Sequence, residues 1–279
     1  MSQARQIMQQ FQGTPTSDGA GVSLTRLIGT RNLDMLDPFL MLDYFASDEP
    51  DQYLAGFPEH PHRGFQTVTY MLAGSMRHKD SLGNEGVINQ HGVQWMSAGR
   101  GVIHAEMPEQ KQGLMQGFQL WVNLPAKDKM SAPAYQEFPA EQIAGETLQQ
   151  GGLVRVVAGT TKQGTQGPVE QLDIDPIYMD ISLPQGTSFE QPISMTANAF
   201  VYVIEGSVAI ANSTINEGNM AILSPGDEVT LEGLSPTARI LLVAGEPIGE
   251  PVAKGGPFVM NTREELMKAF QDFQTGRFL

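Results

Sequence analysis

Two six-residue words repeat along the chain: Tyr70-Met71-Leu72-Ala73-Gly74-Ser75 and, 132 positions later (202 − 70), Tyr202-Val203-Ile204-Glu205-Gly206-Ser207. A second pair keeps the order. Gly86 followed by Val93-Gln94-Trp95-Met96-Ser97-Ala98-Gly99 corresponds to Gly218 followed by Asn219-Met220-Ala221-Ile222-Leu223-Ser224-Pro225-Gly226. An ordered double match of this kind restricts the chain to a duplicated architecture. Each copy reads strand, Gly turn, strand, Gly, strand, Ser-x-Gly turn, which is how antiparallel strands of a jelly roll are cut.

The rest of the pattern agrees. Short runs rich in β-branched and aromatic residues, such as Phe65-Gln66-Thr67-Val68-Thr69-Tyr70-Met71-Leu72, Leu153-Val154-Arg155-Val156-Val157 and Arg239-Ile240-Leu241-Leu242-Val243, are separated by turn residues every ten or so positions. The expected fold is all-β, two tandem jelly-roll-like β-barrels with a short C-terminal helix. Thr262-Arg263-Glu264-Glu265 has the form of a capping box, and Leu266, Phe270 and Phe273 follow at helical spacing, so that helix is expected to lay its apolar stripe on a sheet. The polar stretch Ala126 to Gln150 reads as the linker, and Gly159 to Pro168 as an exposed loop with nothing to bury. The division is placed at 1–135 for the first barrel and 136–279 for the second barrel plus the helix.

Composition narrows the chemistry. With 279 residues and 41% hydrophobic, the chain can bury two cores. It has no cysteine, which removes disulfides, thiolate nucleophiles and sulfur-ligated metals, and leaves His, Asp and Glu for any metal. The formal charge is 17 − 31 = −14, and no block of five or six Lys/Arg occurs, so no direct nucleic-acid binding is expected. The first ten residues hold no apolar signal stretch, and no run of eighteen apolar residues occurs anywhere; the chain reads as soluble and cytoplasmic, without a membrane partner.

All five histidines lie between positions 60 and 104. In His60-Pro61-His62 two imidazoles fall two apart, on one face of a strand, and the proline stiffens the backbone between them. His104-Ala105-Glu106 repeats the spacing after Gly99-Arg100-Gly101. If the two strands face each other inside the barrel, three neutral imidazoles and a carboxylate converge, a set suited to a divalent Fe, Mn, Ni, Cu or Zn with open positions. The duplicate lacks these donors: an offset of 132 puts Pro192 and Ser194 at the places of His60 and His62, and Leu231 stands five beyond Gly226 as His104 stands five beyond Gly99. His78 and His91, beside turns, are read as structural or solvated. Glu59 and Arg63 are read as exposed strand-end charges, Phe65 and Trp95 as core, and the fifteen methionines as core filler.

Longer words carry a resemblance. Asp37-Pro38-Phe39-Leu40-Met41-Leu42-Asp43, His60-Pro61-His62-Arg63-Gly64-Phe65-Gln66-Thr67-Val68-Thr69-Tyr70, Asp80-Ser81-Leu82-Gly83-Asn84, Gln94 through Pro108, Gln119-Leu120-Trp121-Val122-Asn123-Leu124-Pro125 and Gly256-Pro257-Phe258-Val259-Met260-Asn261-Thr262 make the sequence closely similar to the pirin family, bicupins of the cupin superfamily. The resemblance implies two cupin barrels with one metal, usually Fe (Mn, Ni, Cu, Zn or Co as substitutes), in the first. Its ligands fall on His60, His62, His104 and Glu106. Gln66 stands where many cupins carry a glutamate, which leaves Glu106 the one carboxylate ligand, as is usual in pirins. A second barrel without histidine also matches the family and is expected to be structural or a partner surface.

The activity the resemblance implies first is that of a quercetin 2,3-dioxygenase, a metal-dependent cleavage of a flavonol by O2 that releases carbon monoxide and a depside. Glu106, besides ligating, would accept the proton of the substrate hydroxyl. The substrate-binding residues are left unassigned. The alternative is an iron-dependent or redox-sensing regulator that binds a transcription factor or metabolic enzyme; a further one is a cupin acting on some other enol or phenol.

Overall fold

The computed structural model describes residues 3–170 and 173–279. They form two compact units, each built of a seven-stranded and a four-stranded antiparallel sheet.

The histidine-bearing unit comprises Thr14–Ala140 and Ile248–Leu279. Its seven-stranded sheet runs, in spatial order, Ala134–Phe138, Val93–Ser97, Phe65–Ala73, Met115–Asn123, Phe39–Ser47, Val22–Ile28 and Thr14–Asp18. Its four-stranded sheet runs Phe57–His62, Val102–Pro108, Met76–Asp80 and Glu85–Ile88. The central Phe65–Ala73 strand is buried on both faces, as its near-continuous apolar and Thr content requires. Leu24, Phe45, Met71, Met76, Ile88 and Met115 form one cluster of this core.

The second unit comprises the segment ending at Gly13 and Glu141–Pro247. Its seven-stranded sheet runs Ile7–Gln12, Asn219–Leu223, Asn198–Glu205, Thr237–Gly245, Ile177–Pro184, Leu153–Ala158 and Ala144–Thr147; the four-stranded one runs Ser188–Pro192, Glu228–Gly233, Ser207–Ile210 and Ser213–Asn216. One continuous apolar cluster, including Met179, Phe189, Val201, Leu231 and Leu242, fills it. Each fully buried aliphatic side chain there contributes about 1.5–3 kcal/mol.

The division departs from the expected 135/136 boundary in three ways. Strand Ile7–Gln12 adds to the second unit by pairing with Asn219–Leu223. The helix, Arg263–Gln274, belongs to the first: Leu266 and Phe270 pack with Ile103 against Phe258, Ala269 and Phe278. The expected linker is no linker over much of its length, because Ala134–Phe138 and Ala144–Thr147 serve as edge strands, one to each seven-stranded sheet. The helix start is as the sequence predicts. Glu265 N donates to Thr262 Oγ1 at 3.2 Å and Thr262 N donates to Glu265 Oε2 at 3.0 Å, a reciprocal cap of about 1 kcal/mol. Phe273, expected on the apolar stripe, stays 41% exposed. In the 159–168 loop Thr161 is buried, its hydroxyl bonded to Glu146, so that loop does have something to bury. Among the described residues no helix is long and apolar enough to cross a membrane.

Candidate metal centre

Strand pairing decides the geometry. Val102–Pro108 lies between Phe57–His62 and Met76–Asp80, with His104 directly opposite His60 and Glu106 directly opposite His78. Opposed residues of a ladder share a face, so the two sequence pairs meet on the inside of the barrel. The ligand atoms of His60, His62 and His104 all lie within 4.8 Å of one another. The chain leaves His62 through a sharp turn at Gly64, φ +86°, where a Cβ would stand 2.0 Å from the Val259 carbonyl oxygen.

The hydrogen bonds of the triad leave nitrogen lone pairs suited to an electron-pair acceptor. His60 Nδ1 lies 2.8 Å from Pro58 O, which makes Nδ1 the protonated nitrogen and leaves Nε2 a lone pair. That Nε2 sits 3.0 Å from His62 Nε2. His104 is 1% exposed and neither of its ring nitrogens has a partner. Burial pushes the His62 and His104 imidazoles well below the usual histidine range, assisted by the charge of neighbouring histidines, so both are neutral donors near pH 7. Orphaned buried nitrogens on neutral imidazoles fit a borderline divalent metal.

Glu106 lies outside the tight triad but lines the same cavity and is 3% exposed. Its Oε1 is 2.8 Å from Thr69 Oγ1, which is also 2.7 Å from Gln119 Oε1; the single hydroxyl proton serves one of the two. Gln119 Nε2 approaches Oε2 at 3.4 Å.

The cavity holds about 670 Å³, a size typical of small-molecule sites, and its walls include Leu24, Met41, Phe45, Phe57 and Trp121. Asp18, Asp43, Glu59 and Glu106 face it against one guanidinium, Arg26, so it attracts cations. Arg26 bridges Asp43 at 2.8 and 2.7 Å and Asp18 at 2.7 Å. Burial pushes the Asp43 carboxyl up, and Arg26 opposes it.

Two sequence readings change here. Arg63 is not an exposed strand-end charge: it is 3% exposed and binds Asp272 Oδ2 at 2.8 Å and Phe278 O at 3.0 Å, clamping the C-terminal segment beside His62. His78 is not at a solvated turn; it is 1% exposed, on a strand, with its ring centroid 5.2 Å from that of His104. The alternation Met76, His78, Asp80 was the signal that it points inward. The structure also shows a polar row that the strand words contain but do not announce. Arg26, Asp43, Gln119, Thr69, Gln94 and Glu137 stand opposite one another across six strands of the large sheet. Glu59 is exposed as expected, while Phe65 and Trp95 are buried, Trp95 Nε1 donating to Gln66 Oε1 at 3.0 Å.

Fold and site together define a protein of two cupin-type barrels, one of them armed with histidines. A family described as Pirin matches residues 21–122, and the Pirin C-terminal cupin domain matches residues 178–279. A pirin-like protein of Caulobacter vibrioides is 56% identical over 98% of this chain and 99% of its own length. The structure of a quercetin 2,3-dioxygenase from Acinetobacter baumannii matches with a TM-score of 0.90 at 33% identity, over 99% of this chain and 98% of the other. The bacterial pirin YhhW from Escherichia coli, solved with nickel(II), shares the fold at a TM-score of 0.67 and 17% identity, over 84% of this chain and 95% of its own. The chain belongs to the pirin family, with two cupin domains.

Proposed function

We propose that this pirin is a metal-dependent dioxygenase that cleaves a flavonol such as quercetin with O2. The carrying observation is the convergence of three imidazoles, with His104 buried and neither of its ring nitrogens partnered, beside an aromatic-walled cavity of about 670 Å³. His60, His62, His104 and Glu106 would hold one divalent ion, iron first. Bound there, the ion supplies a Lewis-acidic centre for an enol oxygen and for dioxygen chemistry.

The chain's own residues do the rest. Phe57, Trp121 and Met41 offer apolar walls for flat rings, which orients a flavonol and excludes water. Glu106 Oε1, positioned by Thr69, accepts the proton of the 3-hydroxyl. Asp43 and Asp18, held by Arg26, present oxygens that accept from ring hydroxyls. One flavonol and one O2 then yield one depside and one carbon monoxide. The reading is supported by the Acinetobacter enzyme's likeness across nearly the whole chain.

The test is an aerobic assay on iron-loaded protein, following the quercetin absorption band, oxygen uptake and carbon monoxide release. Turnover with all three signals, lost in Glu106→Ala at equal folding, is the expected result. Wild-type turnover no greater than that of Glu106→Ala overturns the enzyme reading and leaves a regulator.

A further inference from the structure

A second cavity, of about 380 Å³, belongs to the same barrel and is lined by His78, Asn84, Glu85, Gln94, Tyr135 and Glu137 among others. None of these residues lines the large cavity. Two observations join this second cavity to the triad. His78 stands in its wall, opposite Glu106 in the ladder, with its ring centroid 5.2 Å from His104 on one side and 5.4 Å from Tyr135 on the other. The His78 imidazole therefore stands between a tyrosine of the cavity wall and the triad's His104. That imidazole is 1% exposed, and its Nε2 is buried without a partner, a state that calls for a donor or acceptor from outside the protein.

The second observation is the polar row. Thr69, hydrogen-bonded to Glu106, stands opposite Gln94, and Gln94 Nε2 donates to Glu137 Oε2 at 2.8 Å on the cavity wall. Buried amides and hydroxyls are costly inside a barrel. The fold does not need them: at the places of Gln94, Thr69, Gln119 and Asp43 the second barrel carries Ala221, Val201, Leu242 and Met179, paired in the same order within its apolar cluster.

We propose that this cavity is a water port, a polar entrance by which water reaches the His78–Glu106 side of the metal centre while the large cavity is filled by an aromatic ligand. Water fits the lining because imidazole, amide and carboxylate groups together offer the two to four donors and acceptors that a buried water requires. The same lining disfavours an apolar ring system. The inference rests on the reading of the triad as a metal centre.

Manganese(II) provides a readout independent of turnover, because the relaxation rate of bulk water protons reports water exchanging near the bound ion. Manganese-loaded protein is measured under argon with and without saturating quercetin. The variants are His78→Phe, which makes that wall position apolar, and Glu137→Trp, which covers the mouth from an exposed edge position while removing the acceptor of Gln94 Nε2. The expected result is that quercetin leaves much of the enhancement in the wild type and removes most of it in either folded variant. Removal by quercetin in the wild type as complete as in the variants overturns the port, and so does an enhancement equal in all three proteins. Failure of every protein to take up manganese overturns the metal reading and the port with it.

Discussion

In the first barrel the strands Phe57–His62 and Val102–Pro108 set His60 opposite His104; in the second, the corresponding strands Ser188–Pro192 and Glu228–Gly233 set Phe189 opposite Leu231. The surrounding topology matches, a seven-stranded and a four-stranded sheet each, except that one edge strand comes after the barrel's other strands in the first, Ala134–Phe138, and before them in the second, Ile7–Gln12. The place of His60 is thus taken by Phe189, not by Pro192 as a constant offset of 132 implies, because loop lengths differ between the copies. At the places of His60 and His104 the second barrel closes on hydrocarbon, with Phe189 and Leu231 inside its apolar cluster. The partnerless His104 imidazole and the buried Glu106 carboxylate of the first barrel therefore contribute nothing the fold requires at these places, and their desolvation cost has to be offset by something they bind.

The strongest way to break that comparison is to arm the silent barrel. Phe189→His with Leu231→His would bury two imidazoles in an apolar cluster with no partner for their nitrogens, and the expected loss is about 5 kcal/mol from unpaired polar burial and lost packing. Urea unfolding reads it directly. A double variant as stable as the parent would show that imidazoles are tolerated in either barrel, and the argument from the orphaned His104 nitrogens would fall. Disarming the first barrel comes next. His104→Ala should weaken metal binding about a thousand-fold, beyond the 10–100-fold typical of outer-sphere changes. Equilibrium dialysis with elemental analysis measures it, and unchanged metal content would dismiss the triad.

Much of this contrast was legible in the residues. The duplicated Tyr70 and Tyr202 words, the helix cap at Thr262 and the His60, His62, His104 convergence all follow from local spacing, which strand and helix periods convert into faces. What escaped depends on register between distant strands. Nothing local says that Asp43, Gln119, Thr69 and Gln94 fall in one row, since their strands also carry Ser47, Gln116, Gln66, Thr67 and Ser97, and only the register between strands selects these four. Arg63 reads as an ordinary charge until Asp272, far along the chain, closes on it. The placement of Ile7–Gln12 in the second sheet is likewise a pairing choice made by remote partners.

Buried cations extend the comparison to pH. The first barrel's unit hides Lys129, 1% exposed, whose Nζ donates to Gly64 O at 2.7 Å, Asn123 Oδ1 at 2.7 Å and Val259 O at 3.1 Å. The second hides Arg5, equally buried, on the carbonyls of Ser194, Ala197 and Ser224. Burial pushes the Lys129 ammonium down to about 8, whereas a guanidinium stays charged throughout the accessible range. Below pH 8 the lysine is charged in both folded and unfolded chains, and the folded state bears the desolvation cost. Between about 8 and about 10.4 the unfolded chain binds more protons, so stability should rise with pH by about 3 kcal/mol from this group. Denaturation midpoints across that window, compared with Lys129→Met, isolate the effect. A rise of the same size in the variant would remove Lys129 as its source.

The smallest effect probes the polar row itself. Val201 occupies in the second barrel the place of Thr69 in the first, so Thr69→Val copies the silent barrel at one position and keeps the side-chain shape. The hydroxyl's bond to Glu106 Oε1 is lost, and Glu106 keeps the approach of Gln119 Nε2 at 3.4 Å. A net hydrogen bond to a charged acceptor is worth about 1.5–3 kcal/mol, but the valine methyl regains part of that by apolar burial in the barrel, so the expected stability change is within about 1 kcal/mol. The functional change should exceed it, because a carboxylate no longer held by Thr69 is free to rotate away from the triad. Thr69→Val is therefore expected to lower metal affinity several-fold at nearly constant unfolding midpoint, while Thr69→Ser restores it. Equal metal affinity in all three proteins would mean that Thr69 merely fills space, as Val201 does.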